Sequence, residues 1–330
     1  MWQREIVPET GVRFVPVLHD QQAGRYVQDT AVIADYLAQQ WPAHMQRLVP
    51  PGPHQQLVSR LFELWADEWL LMPGMHYRWS FYDHHGDYLR TVWWQVMTPQ
   101  ERDASMLPAI ERSMRYFASS LPNLGVTPET IPTIEAQFHA AMDLLNAHLA
   151  EHAFLLGEQA CLGDCALMGP LYAHLYRDPV PGYLMRTQWP HVTLWIERMN
   201  RTHFEECVRP GAGFLPNDEV PGRLIQLLQQ ALFADGLPAL LDTVTRLGAW
   251  RRAHPEHPAD QKIPRFLGRH EFTLGSVRAT RGVSTFQVWK LQRLAAVIDA
   301  LPTHPPWLPS SLVTLGATIR TSGAMVIRTP

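Results

Sequence analysis

Residues 12–18 read Val-Arg-Phe-Val-Pro-Val-Leu, and residues 28–42 read Gln-Asp-Thr-Ala-Val-Ile-Ala-Asp-Tyr-Leu-Ala-Gln-Gln-Trp-Pro. The first run is β-rich, broken at Pro16 and ended by the polar stretch 19–24, and it predicts a strand. Arg25 to Gln28 predicts a second. From Asp29 the period becomes helical: Ile33 and Leu37 lie four apart, Trp41 follows one turn later, and Pro42 stops the run. The pattern is therefore strand, turn, strand, helix, and it carries the strongest chemical signal in the chain.

An X-Pro bond such as Val15–Pro16 adopts the cis form at modest cost, and at a strand edge it turns the N–H and C=O of Val15 outward, where they can pair with an extended peptide. A helix that begins near Asp29 aims free N–H groups and a partial positive charge beyond its end, which suits a carboxylate. Thr30 adds a hydroxyl, and Asp29 accepts from an ammonium. Together these groups suit the γ-glutamyl end and cysteinyl backbone of a small thiol peptide. The plainer reading of the same residues is a strand, a turn and an N-capped helix.

Working outward, Val49-Pro50-Pro51-Gly52-Pro53 makes a stiff connector. Helix-period stripes then dominate residues 54–210. One runs through Leu57, Leu61, Leu64, Trp65 and Met72 with Glu68 inside it, and Pro73-Gly74 is expected to kink or end that helix. A second runs from Ile134 to Leu149, a third from Cys161 to Tyr176, and a fourth from Val192 to Met199. Leu224 to Leu247 is helix-like but broken near Gly236-Leu237-Pro238. Glu271–Leu274 and Val277–Thr280 flank Gly275-Ser276, a turn that suits a hairpin. Leu291 to Ile298 marks another helix. Prolines at 302, 305, 306 and 309 with few charges predict a disordered tail over 302–330.

Composition narrows the function classes. The chain has 330 residues, 46% hydrophobic and 18% charged, with a net charge of −3. A pI near 6.6 and no long Lys/Arg stripe argue against nucleic acid. Three cysteines, Cys161, Cys165 and Cys207, are too few for a secreted disulfide framework and form no CxxC pair. No apolar run reaches membrane-span length and residues 1–5 do not begin a signal peptide, so a soluble cytoplasmic setting with no membrane partner is expected. No metal is expected either: His84-His85 reads as a solvated loop, as do His254 and His257. The tryptophans at 65, 69, 79, 93 and 94 read chiefly as core packing.

The order Val-Pro-Val-Leu at 15–18, Gln-Asp-Thr at 28–30 and Phe-Leu-Leu-Gly-Glu-Gln-Ala-Cys-Leu-Gly-Asp at 154–164 resembles the glutathione S-transferase-like superfamily, over about residues 7–200. The later run Trp-Pro-His-Val-Thr-Leu-Trp-Ile-Glu-Arg at 189–198 is similar to the helix that usually follows. The resemblance implies a mostly α protein. Residues 1–42 would be a partial thioredoxin-like α/β unit and 54–210 an all-helical domain. Residues 211–301 would be a C-terminal extension with helices and a hairpin, similar to that of a bacterial subgroup. It implies glutathione as co-substrate, a hydrophobic electrophile as second substrate, and a homodimer. Val15 and Pro16 would meet the cysteinyl group, and Asp29 with Thr30 the γ-glutamyl group.

Two departures accompany the resemblance. Cys161 stands where the family has Ser or Thr in a capping box closed by Asp164. A thiol is a weak acceptor, so that box is expected to be half made, with Cys161 and Cys165 both small buried residues. The similarity also starts inside the thioredoxin-like unit, so a truncated N-terminus is expected. The family's thiolate-stabilising Tyr, Ser or Cys lies in the missing strand–helix, and no catalytic residue is identified. The alternative function is a non-catalytic binding or scaffold module, similar to metaxins.

Overall fold

The computed structural model describes residues 6–11, 15–97, 104–201, 213–258 and 263–324. Residues 12–14 of the first predicted strand, and Cys207, lie outside them. The chain is mostly α. After a helical turn α1 (Val7–Thr10), strands β1 (Val17–Asp20) and β2 (Arg25–Gln28) pair antiparallel, Val17 opposite Gln28 and Asp20 opposite Arg25. Helix α2 (Thr30–Gln40) follows, and Pro42 opens a further turn, α3 (Pro42–Met45).

The helical body comprises α4 (Pro53–Glu68), α5 (Leu71–Trp79), α6 (Tyr82–Met97), α7 (Leu107–Ala118), α8 (Leu121–Leu124), α9 (Ile131–Leu149), α10 (Leu162–Met168), α11 (Pro179–Gln188) and α12 (Pro190–Arg201). The stripes foreseen at 57–72, 134–149 and 192–199 supply its core: Leu57, Leu61, Trp65, Met142, Leu145, Trp195 and Ile196 are all buried. Pro73 does not break α4, which already ends at Glu68. It occupies the first turn of α5, where a missing N–H costs nothing. The predicted helix from 161 to 176 divides at Gly169-Pro170 into α10 and a π-helical stretch, Gly169–Tyr176.

Beyond residue 213 come α13 (Gly222–Leu228), a π-helical stretch (Gln229–Phe233), α14 (Gly236–Ala253), the antiparallel hairpin β3 (Phe266–Leu274) and β4 (Val277–Ser284), α15 (Phe286–Asp299), α16 (Ser310–Val313) and α17 (Leu315–Ser322). The hairpin turns at Gly275-Ser276 as expected, with Leu274 opposite Val277. It is tied down at both ends. The Asp235 carboxylate accepts from Gly275 N–H (2.8 Å) and from the Gln137 amide on α9, while Arg269 donates to Asn123 (2.6 Å) and the Pro122 carbonyl (2.8 Å). One apolar core is continuous from α4 through α15 and α17. The expectation of a disordered tail does not hold for residues 302–324. Leu312, Leu315 and Ile319 are buried in that core, and the prolines punctuate short helices rather than prevent packing.

Two long-range contacts fix α4, the central helix. Its N-terminus is capped from a distance: the Asp218 carboxylate accepts from His54 N–H (3.0 Å) and Gln55 N–H (2.9 Å). Gly52 permits this approach, since a Cβ there would lie 2.0 Å from an Asp218 oxygen. Further along, Gly163 of α10 lies close enough to α4 that a Cβ would sit 3.0 Å from the Ser59 carbonyl, and its N–H donates to Ser59 Oγ. Among the described residues no single helix is long and apolar enough to cross a membrane; a bent pair, α13 with its π stretch plus α14, passes by composition, and its apolar residues belong to the shared core.

Candidate ligand-binding cleft

The Val15–Pro16 peptide bond is cis, and Val15 is 76% exposed at the entry to β1. The Pro16 carbonyl accepts from Asp29 N–H at 3.3 Å, so the hairpin brings the first predicted pair of residues beside the second. Asp29 caps α2: its Oδ1 accepts from Ala31 N–H (3.0 Å), and its carbonyl accepts the first helical bond from Ile33 (2.8 Å). The backbone at Asp29 has φ 79° and ψ 135°, a region costly for any residue with a side chain. Thr30 follows at the first helical position and is exposed.

Asp29 and Thr30 line a cleft of about 340 Å³, within the range of small-molecule sites. Its other walls come from the far end of the chain, from the end of α4 and the start of α5, and from α8. Arg281, Gly282 and Ser284 belong to β4, Phe286, Gln287 and Lys290 to α15, and Asp67 and Glu68 to α4. Val15 and Pro16 do not line it. The helix α2 is docked on this wall by a two-pronged ion pair, Arg293 of α15 to Asp35 at 2.6 and 3.0 Å. Lys290 is bound to Asp67.

Glu68 and Arg281 set the electrostatics. Burial pushes the Glu68 carboxyl up to about 7, against a hydrogen bond from Gln287 that pulls it down. Arg281 is 4% exposed and stacks on Trp69 and Phe272, 5.2 and 5.8 Å from the ring centres. Sequence reasoning missed Arg281, because the predicted strand stopped one residue short at Thr280. Glu68 was visible as the one acid within an apolar stripe.

The predicted capping box closes at the other helix mouth, in the core. Asp164 is fully buried and accepts from Cys161 N–H (2.9 Å), Leu155 N–H (3.1 Å) and Trp195 Nε1–H (3.0 Å). The return bond from the Asp164 N–H to the Cys161 thiol is also made, so the box is complete rather than half made. Burial, then the Asp164 charge, pushes the Cys161 thiol well above its usual range, which removes it as a nucleophile. Cys165 is exposed, contrary to expectation, because it falls on the side of α10 turned to a 160 Å³ pocket behind α2. His84 and His85 are not a loop. They lie in α6 at a kink, where buried His85 meets the Arg78 carbonyl (2.8 Å). The packing reading of Trp65, Trp69 and Trp79 holds. Among the described residues no three His, Cys, Asp or Glu side chains gather as a metal site.

Comparison with known proteins places this architecture. Residues 101–198, from the approach to α7 through most of α12, match the family model for the glutathione S-transferase C-terminal domain. This helical segment is therefore similar to the C-terminal domain of glutathione S-transferases, which supports the resemblance read from the sequence. No curated protein and no solved structure gives a significant match.

Proposed function

We propose that the chain binds glutathione at the mouth of α2 and presents it to a hydrophobic electrophile in the adjoining cleft. Asp29 and Thr30 hold the γ-glutamyl group, Asp29 meeting its ammonium, while Thr30 and the helix N-terminus meet its carboxylate. The Val15 backbone, set by Pro16, pairs with the cysteinyl unit. The observation that carries this reading is the position of Asp29 and Thr30, at the start of an eleven-residue helix and on a cleft of ligand size. Leu71, Leu124, Phe266 and Phe286 supply apolar wall for the second substrate. The reading extends to a cytoplasmic setting, whose glutathione pool keeps cysteines such as Cys165 reduced, and to a homodimer.

Calorimetry with glutathione on the wild type and on Asp29→Ala tests it. Saturable heat from the wild type and an affinity at least about ten-fold weaker in the variant are expected, about 1.4 kcal/mol. No heat from the wild type sinks the proposal. Turnover of a generic aryl halide with glutathione separates conjugation from binding alone, because a thiol held without a donor or positive field keeps a pKa near 8.5 and reacts slowly at neutral pH.

A further inference from the structure

We infer that β4 supplies an anion-receiving subsite to this cleft, centred on Arg281, for a small carboxylate with an apolar or aromatic body. Arg281 lines the cleft, yet its Nε and Nη1 are buried without a hydrogen-bond partner among the described residues. Protein interiors seldom leave such donors unmade, because a desolvated donor with no acceptor loses the full cost of its hydration. The stacking on Trp69 and Phe272 offsets part of the cost of burying the charge, but it does not satisfy N–H groups as a carboxylate does. A guanidinium presents planar forks of donors that match two carboxylate oxygens, Nε with Nη2 or Nη1 with Nη2, so one carboxylate satisfies one of the two orphaned donors together with Nη2.

The neighbouring charges leave this role to Arg281. Lys290 is engaged by Asp67, and Arg293 by Asp35. The acid whose field reaches Arg281 is Glu68, which makes no ion pair with it within 4 Å, and burial leaves Glu68 only partly ionised near neutral pH. The mouth of α2, with eleven residues behind it, opens on the same cleft and adds a second attraction for negative charge. Between them Phe266, Phe286 and Leu71 offer apolar surface, so the ligand that fits is an anion with a nonpolar body rather than a bare inorganic ion. The subsite stands apart from the glutathione reading; only the ligand's part as co-substrate rests on that reading.

The test uses the full chain, benzoate as probe and benzamide as its neutral isostere, with affinities read by calorimetry. Benzoate is expected to bind saturably and at least ten-fold more tightly than benzamide. Arg281→Gln is expected to weaken benzoate at least ten-fold and leave benzamide unchanged, while Arg281→Lys retains part of the preference. Equal affinity for the two probes, no saturable benzoate binding, or undiminished benzoate affinity in Arg281→Gln overturns the inference. Circular dichroism checks that the variants fold. Should Arg281→Gln not fold, the wild-type Arg281 Nε–H resonance decides. It is assigned by its disappearance in Arg281→Lys, or by selective labelling, and it must move on benzoate saturation; an unmoved signal overturns the inference. A separate glutathione titration keeps the two readings apart: benzoate binding without glutathione binding removes only the glutathione proposal, and the reverse removes only the subsite.

Discussion

Asp29, the N-cap of α2, and Asp164, the third residue of α10, each accept a backbone N–H at the mouth of a helix, and their surroundings are opposite. Asp164 is dry, met by three N–H donors from three parts of the chain, and built into the core beneath α4. Asp29 sits at a strained backbone position on the rim of a cleft, one wall of which arrives from more than two hundred residues downstream. A cap whose acceptors are consumed inside the core holds the fold together. A cap placed where the helix mouth still faces open volume has electrostatic reach left for a ligand.

Asp164→Ala breaks the comparison most severely. It strands three donors in the interior, and a loss of about 3–5 kcal/mol in urea unfolding is expected, with the helical domain failing to fold as the extreme result. A loss under about 1 kcal/mol would show that the core tolerates the orphaned groups.

One titration in each region, His148 against Glu68, runs in opposite senses, while the buried Asp164 carboxyl is raised like Glu68. In the buried region, His148 donates to the Leu155 carbonyl next to Asp164, and burial pulls its pKa down to about 4. Its unfolded form binds a proton below about 6.5, so its contribution is lost as pH falls from there toward 4. In the cleft, Glu68 is raised to about 7, so it binds a proton in the folded state that the unfolded chain releases above about 4.5; its contribution is lost as pH rises from 4.5 through 7. The two slopes oppose each other between pH 4.5 and 6.5, each worth roughly 1–3 kcal/mol. Glu68→Gln is expected to leave the histidine slope alone, so that stability climbs between pH 4 and 6.5 and stays level to pH 7.5. Denaturant midpoints across that range read it, and a variant that tracks the wild type would dismiss the raised carboxyl.

Asp29→Ala should separate function from stability: about ten-fold in glutathione affinity against about 1 kcal/mol of lost cap. A stability loss as large as that of Asp164→Ala would erase the distinction between the two helix mouths. The smallest effect is expected from Asp35→Ala, which releases α2 from Arg293 at a cost of about 0.5–1 kcal/mol, seen as faster amide exchange confined to α2.

How legible this was in the sequence depended on the range of the interaction. The order strand, strand, helix of β1–β2–α2, the stripes of α4, α9 and α12, and the turn at Gly275-Ser276 rest on local periodicity and turn chemistry and are readable. Strand β1, however, begins only at Val17 and takes in His19 and Asp20, two residues expected in the turn. The cap pair Cys161 and Asp164 was readable through resemblance, but its completion was not, because the thiol's geometry follows from the packing of α10 on Ser59 and Phe62. The cleft itself was half hidden. Asp29 and Thr30 announce a helix mouth, whereas nothing local to Arg281, Phe286 or Lys290 says they will face it. Their placement follows from the long-range docking of α15, and from Arg269 and Asp235 fastening the hairpin. Residues 302–324 depart from what their prolines predict because Leu312, Leu315 and Ile319 recur at helical spacing and bury in the shared core.

The distant cap on α4 has a consequence for how the molecule comes into being. During synthesis, the first turn of the central helix waits with bare amides until more than 160 further residues have been translated and Asp218 can swing back to meet it. A nascent chain halted before that point, or a fragment cut to the helical domain alone, would carry its principal pillar unfinished at the top. The segment around Asp218 thus finishes a helix that the chain laid down long before it.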